Sequence, residues 1–271
     1  MRTARDTARM AASESVPVVG GVADIFRTVC AVVRTRTGAG GNPVHDICGT
    51  AFAMAPGLFM TAAHVLDGDP SEFSLGSRFG SGPYQFRIWP VLDWELCKGS
   101  DVALMQCELP DATCLSWYPK EVDMLRTVHA FGYPFALDLH NLRLRARAFK
   151  GHVVCADDAG PAELTALPRI YELSFQSPRG LSGAPLLLPT AEGLLVGGVV
   201  VANRSTSLQL LAEQESMTEH AEAGTTRTIV ERHEVMHLGM AVQSQSILSL
   251  SSKMLAGSIG SIFAGTGDRR T

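Results

Sequence analysis

Apolar and polar positions alternate over short stretches for most of the chain, and few segments keep a helical period. Val22, Ile25, Val29, Val32 and Val33 open the core and end as a valine-rich, strand-like run reaching Arg36. Gly38-Ala39-Gly40-Gly41-Asn42-Pro43 reads as a turn. Gly49 to Met54, Pro56-Gly57 and Leu58 to Thr61 read as strand, turn and strand, the second running into Thr61-Ala62-Ala63-His64-Val65-Leu66. Short β-type segments follow at Tyr84 to Leu92, Asp101 to Met105, Thr127 to Phe131, Leu142 to Val154, Ile170 to Phe175, Ala184 to Leu188 and Leu194 to Ala202. Only Ser244 to Leu255 carries a helical stripe, through Ile247, Leu248, Leu250, Met254 and Leu255, with Gly257 as its stop. The pattern predicts a mostly β protein with a terminal helix. It divides into two halves between Cys114 and Leu125, with Trp117-Tyr118-Pro119-Lys120-Glu121 as the link.

Composition narrows the class. Of 271 residues, 46% are apolar and 18% charged, enough for a packed core. Lys plus Arg is 23 against 27 for Asp plus Glu, a net charge of −4, and no basic stripe with interleaved aromatics occurs, so nucleic acid is not an expected partner. The longest apolar run, Leu194 to Ala202, is too short to cross a bilayer, so no membrane partner is expected either. No apolar core of leader length follows Arg2, Arg5 and Arg9 before Val16. The six cysteines, Cys30, Cys48, Cys97, Cys107, Cys114 and Cys155, include no Cys-x-x-Cys pair. They read as buried free thiols, and the expectation is a soluble, cytoplasmic protein without a metal or other cofactor.

The chemistry concentrates in Pro178-Arg179-Gly180-Leu181-Ser182-Gly183-Ala184-Pro185. A serine between glycines, followed by proline, reads as a tight loop with a hydroxyl beside converging backbone N–H groups. Acyl transfer needs that combination: a nucleophile next to donors for a developing oxyanion. An ordinary surface turn has the same residue types. The choice depends on a base and a carboxylate elsewhere in the chain.

Three segments in order supply them. Thr61-Ala62-Ala63-His64, Asp101-Val102-Ala103-Leu104 and Gly180-Leu181-Ser182-Gly183-Ala184-Pro185 together resemble the trypsin-like (chymotrypsin-fold) serine peptidases, in particular the bacterial HtrA-like branch, here without a PDZ domain. Gly49-Thr50-Ala51-Phe52, Gly132-Tyr133-Pro134, Leu194-Val196-Gly197-Gly198-Val199 and Gly239-Met240-Ala241-Val242 extend the likeness over residues 22 to 256. It implies an all-β fold of two perpendicular six-stranded β-barrels with a C-terminal helix. Barrel one would cover about 22–116, barrel two about 125–243 and the helix about 244–256, after a flexible segment 1–20 and before a polar tail 257–271.

The resemblance implies a serine endopeptidase working on protein or peptide substrates. His64 would be the base, Asp101 its orienter and Ser182 the nucleophile, with the N–H groups of Gly180 and Ser182 as oxyanion hole. Asp93 is the rival carboxylate, but Asp101 leads directly into Val-Ala-Leu, as the family pattern does. The implied substrate pocket has Gln176 at its base, Val201, Ala202 and Asn203 along one wall and Gly239 near the other. With no acidic residue at the base, a medium apolar or polar P1 side chain is expected rather than Arg or Lys. Leu181 replaces the aspartate that, in animal members, pairs with a freshly cut N-terminus. The superficially similar Val18-Val19-Gly20-Gly21 is therefore read as accidental.

Two rival readings remain. His233-Glu234-Val235-Met236-His237 matches the H-E-x-x-H signature of zinc peptidases, which requires a helix and a third ligand. Against it, Val230, Val235 and Gly239 disfavour a helix, no His, Cys or Glu follows His237, and the segment leads into the final β-strand. The other rival is a peptidase-fold interaction protein, silent or gated by a partner. For that reading Asn203 to His237, long for a link between barrel strands, would be the regulatory docking loop.

Overall fold

The computed structural model describes residues 22–78, 86–110, 112–134, 137–138, 143–157, 169–191, 193–215 and 227–263. The segment 1–20, the Val18–Gly21 stretch, Met217 in the docking loop and the end of the expected tail lie outside them.

A short helix, α1 (Val22–Thr28), leads into the first sheet. That sheet contains β1 (Val29–Thr37), β2 (Pro43–Ala55), β3 (Leu58–Thr61), β4 (Phe73–Arg78), β5 (Phe86–Pro90), β6 (Asp93–Leu96) and β7 (Ala103–Gln106), in the order β5-β4-β1-β2-β3-β7-β6. Beyond the link come β8 (Ser116–Trp117), β9 (Thr127–Gly132), a small hairpin of β10 (Leu137–Asp138) and β11 (Arg143–Leu144), then β12 (Arg147–Asp157), β13 (Ile170–Leu173), β14 (Pro185–Thr190), β15 (Gly193–Glu215) and β16 (Arg227–Gln243). The second sheet runs β14-β9-β12-β13-β16-β15-β8, and the β14–β15 pairing closes its first six strands into a barrel. Its partner is a seven-stranded half-barrel whose end strands are not paired to each other among the described residues. The all-β, double-barrel expectation is the architecture observed.

Apolar residues on alternating positions fill both interiors. In the first half Phe52, Phe59, Phe73, Leu75, Leu104 and Met105 are fully buried, and Val128, Tyr171, Leu173, Leu186 and Val200 occupy the second. The two halves are bonded to each other. Tyr133 Oη donates to the Val29 carbonyl at 3.1 Å, and the Phe26 ring meets Phe131 edge-on at 5.2 Å. The link is not loose chain: Ser116–Trp117 pairs in parallel with Leu195–Val196, and Trp117 is buried against Phe52.

Three elements depart from the sequence reading. Val22 to Thr28, read as the opening of the core with no element of its own, is helical. The C-terminal helix, expected over 244–256, is α2 (Ser244–Ser249), and Leu250 already has extended backbone. Past Leu250 the chain is clasped by Glu95 of β6, whose carboxylate accepts from Ser252 Oγ at 2.7 Å and from the N–H groups of Lys253 and Met254 at 2.8 Å each. Residues 257–263, read as tail, continue the fold: β17 (Ser251–Ser252) pairs with β18 (Gly257–Ser258), Ile259 is fully buried, and Phe263 lies against Trp117. The His233–His237 stretch, which the sequence reading leads directly into the last strand, is not a departure. It belongs to strand β16, so the one-turn helical spacing on which the zinc reading rests is not present.

Candidate active site

His64 sits in a single 3-10 turn, Ala63–Val65, at the exit of β3. The turn is tied to the loop carrying Asp101, because Ala63 N–H donates to the Asp101 carbonyl at 3.1 Å. The Asp101 carboxylate holds the histidine twice: Oδ1 accepts from His64 N–H at 3.0 Å, and Oδ2 lies 2.7 Å from Nδ1. That second contact places the proton on Nδ1 and leaves Nε2 with a free lone pair. The Asp101 hydrogen bond also raises the imidazole above its ordinary value, against the opposing effect of partial burial. Asp93, the rival carboxylate, faces elsewhere and caps the Trp94 N–H at 2.8 Å.

Ser182 comes from the loop before β14. Leu181 N–H donates to the Pro178 carbonyl at 2.9 Å and Gly180 has φ +95°, which fits residue i+2 of a type II turn over Pro178–Leu181. A side chain at 180 would place its Cβ 2.9 Å from the Tyr133 carbonyl, so glycine is required on two counts. In a type II turn the central peptide is flipped relative to type I. The direction of the Gly180 N–H is therefore set by the turn and not left to the substrate.

The first half-barrel grips this loop through Thr50, which is fully buried. Thr50 N–H donates to the Ser182 carbonyl at 2.8 Å, and Thr50 Oγ1 donates to the Gly180 carbonyl at 2.7 Å while accepting from Tyr133 N–H at 3.0 Å. Thr61 Oγ1 in turn donates to the Thr50 carbonyl at 2.7 Å. Gly183 (φ +86°) fits under this grip only without a side chain, since a Cβ would sit 2.0 Å from the Thr50 carbonyl and 2.8 Å from Ala62 N. The serine loop is thus packed against the Thr61–Ala62 segment that delivers His64. Leu181 is 0% exposed and points into the core of the second barrel. Burial of a leucine contributes about 1.5–3 kcal/mol, so the loop is anchored by apolar contact.

Ser182 Oγ itself donates to the Val201 carbonyl at 3.3 Å, a long bond, and makes none to the imidazole. The chain past Val201 borders the site. Gly183 N–H and the Val200 carbonyl are bonded at 2.7 Å, Val201 is buried and Ala202 half-buried. Asn203 uses its side-chain amide to clamp Ser177 across the gap: Ser177 N–H donates to Oδ1 and Nδ2 donates to the Ser177 carbonyl, both at 2.6 Å. Gly239 N–H donates to the Phe175 carbonyl at 2.8 Å. Gln176, expected at the pocket base, is exposed, and Ser177 beside it is the buried residue. Thr50 and Thr61 lie in the quoted motifs without a role of their own, and Ser177 was not singled out by sequence. The signal was there for Thr50, a lone hydroxyl in the apolar second half of β2.

No family model matches this sequence, and no curated protein matches it. Solved structures do. The Rv3671c protease of M. tuberculosis H37Rv, as a serine-to-alanine mutant in its inactive form, superposes with a TM-score of 0.52 at 18% identity, covering 95% of this chain and 100% of that one. The active form of the same protease gives 0.52 at 17% identity over 95% and 92% of the two chains. The chain has the trypsin-like serine-protease fold. A second inactive-form structure of that protease agrees, at 0.51 and 19% identity over 91% and 99%.

Among the described residues no group of metal-ligating side chains converges, and His237 Nδ1 lies 2.8 Å from Ser205 Oγ. All six cysteines are free, with Cys30 and Cys107 pushed up to about 12 by burial. No described helix is long and apolar enough to cross a membrane.

Proposed function

We propose that this chain is a serine endopeptidase in which His64, Asp101 and Ser182 act as a triad. The observation that carries the reading is the double hold of Asp101 on His64, because it fixes ring, tautomer and charge together. His64 Nε2 takes the proton of Ser182 Oγ as Oγ bonds to the peptide carbonyl carbon. The resulting oxyanion accepts from the N–H groups of Gly180 and Ser182, each donor being worth about 3 kcal/mol. His64 then passes the proton to the departing amine, and water resolves the acyl-enzyme by the same steps in reverse roles.

The substrate is an extended peptide. Past the bulge at Val201, Ala202 and Asn203 of β15 pair with β16 on one edge. The other edge has no main-chain strand partner among the described residues, and Ser182 Oγ reaches the Val201 carbonyl beside it. A peptide added along that edge presents its carbonyl to the serine.

One contact favours a gated form of the same enzyme. Ser182 Oγ is bonded to the Val201 carbonyl, so a side-chain rotation must precede proton transfer. The β15–β16 ribbon is the place for a regulatory protein partner to act. From Arg204↔Leu238 to Glu215↔Arg227 it is two-stranded among the described residues, and such ribbons are marginal without a third element. A cytoplasmic, reducing location fits the six unpaired thiols.

The test is hydrolysis of an unfolded protein substrate by the wild type, Ser182→Ala and His64→Ala. Wild-type cleavage lost in both variants supports the triad. Cleavage that survives Ser182→Ala contradicts it.

A further inference from the structure

Next to the nucleophile, one residue bridges two segments of the chain. With the peptide laid along the Val201–Asn203 edge as proposed, a P1 side chain, hanging from the carbon adjoining the attacked carbonyl, would point between that edge and the Phe175–Gly180 segment leading to Ser182. Those two walls are bridged by the Asn203 amide, bonded at 2.6 Å to both the N–H and the carbonyl of Ser177. Only one orientation of the amide satisfies both bonds, so donor and acceptor are assigned by the contact itself.

Two further observations show that the space beyond the bridge is closed. Ser177 is 6% exposed, and its Oγ is buried with no hydrogen-bond partner among the described residues. On the far side, a Cβ at Gly239 would meet the Phe175 carbonyl at 2.5 Å, and the Phe175 ring is held by stacking on Phe149 at 6.0 Å. The walls are therefore fixed, one by ring stacking and both by the amide.

We infer that Asn203 sets the substrate class of this site: the amide bridge restricts P1 to small side chains, alanine, glycine or serine, and excludes aromatic and long aliphatic ones. This rests on Ser182 being the nucleophile, and it replaces the medium-sized P1 group expected from sequence. A larger side chain can enter only by breaking both amide bonds and leaving the Ser177 backbone groups unpaired.

The experiment measures labelling rates with peptidyl diphenyl phosphonates carrying Ala or Phe at P1, in wild type and Asn203→Gly, with thermal melts to verify folding. The wild type should react with the Ala probe roughly 100-fold faster than with the Phe probe, and Asn203→Gly should cut that ratio to about tenfold or less. Equal wild-type rates, or an unchanged ratio in Asn203→Gly, overturn the inference. A plain fluorophosphonate, which has no P1 group, is run in parallel; its failure to label indicts the triad, not the pocket. In that event calorimetric binding of peptides ending in Ala or Phe decides the pocket without chemistry. Tighter binding of the Ala peptide upholds the bridge, and equal or absent binding removes it.

Discussion

Thr50 of the first half-barrel holds Gly180 of the second, its hydroxyl donating to the Gly180 carbonyl at 2.7 Å across the interface. The same oxygen accepts from Tyr133 N–H, so a single threonine fixes both the turn that aims the Gly180 N–H and the strand exit beside it. Replacing it with valine keeps the shape and removes the polar atom. Each buried backbone group left unpaired costs about 1–3 kcal/mol. Thr50→Val is expected to lower stability by that order and to reduce kcat at least tenfold with little change in KM, since the contact supports the oxyanion donors and not ground-state binding. Steady-state kinetics on a peptide substrate checks the split.

The His64–Asp101 contact predicts a pH profile. The Asp101 hydrogen bond raises the imidazole, and only neutral His64 can accept the serine proton. Activity should therefore rise with pH through a midpoint above the ordinary histidine value of about 6.5. Asp101→Asn removes that cause, so the midpoint should fall while kcat drops by about 10⁴. Stability runs the other way. The contribution of the pair is fully present below the unfolded histidine value and is lost as pH rises through the raised folded one. Denaturant melts of wild type and Asp101→Asn across that window check the sign.

Glu95 predicts acid sensitivity at a distance from the catalytic groups. Burial pushes its carboxyl up, but the N–H groups of Met254 and Lys253 and the Ser252 hydroxyl outweigh this and hold it below the usual range. Its stabilisation is present above the unfolded glutamate value and disappears as pH falls through the depressed folded one. Glu95→Gln should cost about 1–2 kcal/mol near neutral pH, with the difference from wild type shrinking in acid. Thermal melts at several pH values measure it. Faster amide exchange at Lys253 and Met254 should accompany the loss.

How far these features are legible in the sequence depends on their physical origin. The segments bearing His64 and Ser182 were legible because they need particular small neighbours: Ala62 and Ala63 beside the imidazole, and Gly180 and Gly183 where a Cβ would strike backbone. Asp101 was legible by the Val-Ala-Leu run that follows it. The clamp made by Asn203 was not, because an amide reaching a backbone 26 positions away leaves no local pattern. Val22 to Thr28 is only 7 residues long, and one turn or two of chain carries no decisive period. The stripe from Ile247 to Leu255 looked like one helix because nothing before Gly257 breaks it. It ends at Leu250 because Glu95 takes the N–H groups of Lys253 and Met254 for itself, a tertiary contact overriding local preference. The H-E-x-x-H match failed for the opposite reason: a strand with a long antiparallel partner, β15, already claims those residues.

The central claim is that the Ser182 hydroxyl is the nucleophile and the imidazole of His64 its base. Peptide mapping by mass spectrometry after reaction with a fluorophosphonate reads this most directly. The adduct should sit on Ser182 in the wild type and be absent in both Ser182→Ala and His64→Ala. An adduct on any other residue, or undiminished labelling of His64→Ala, would contradict it.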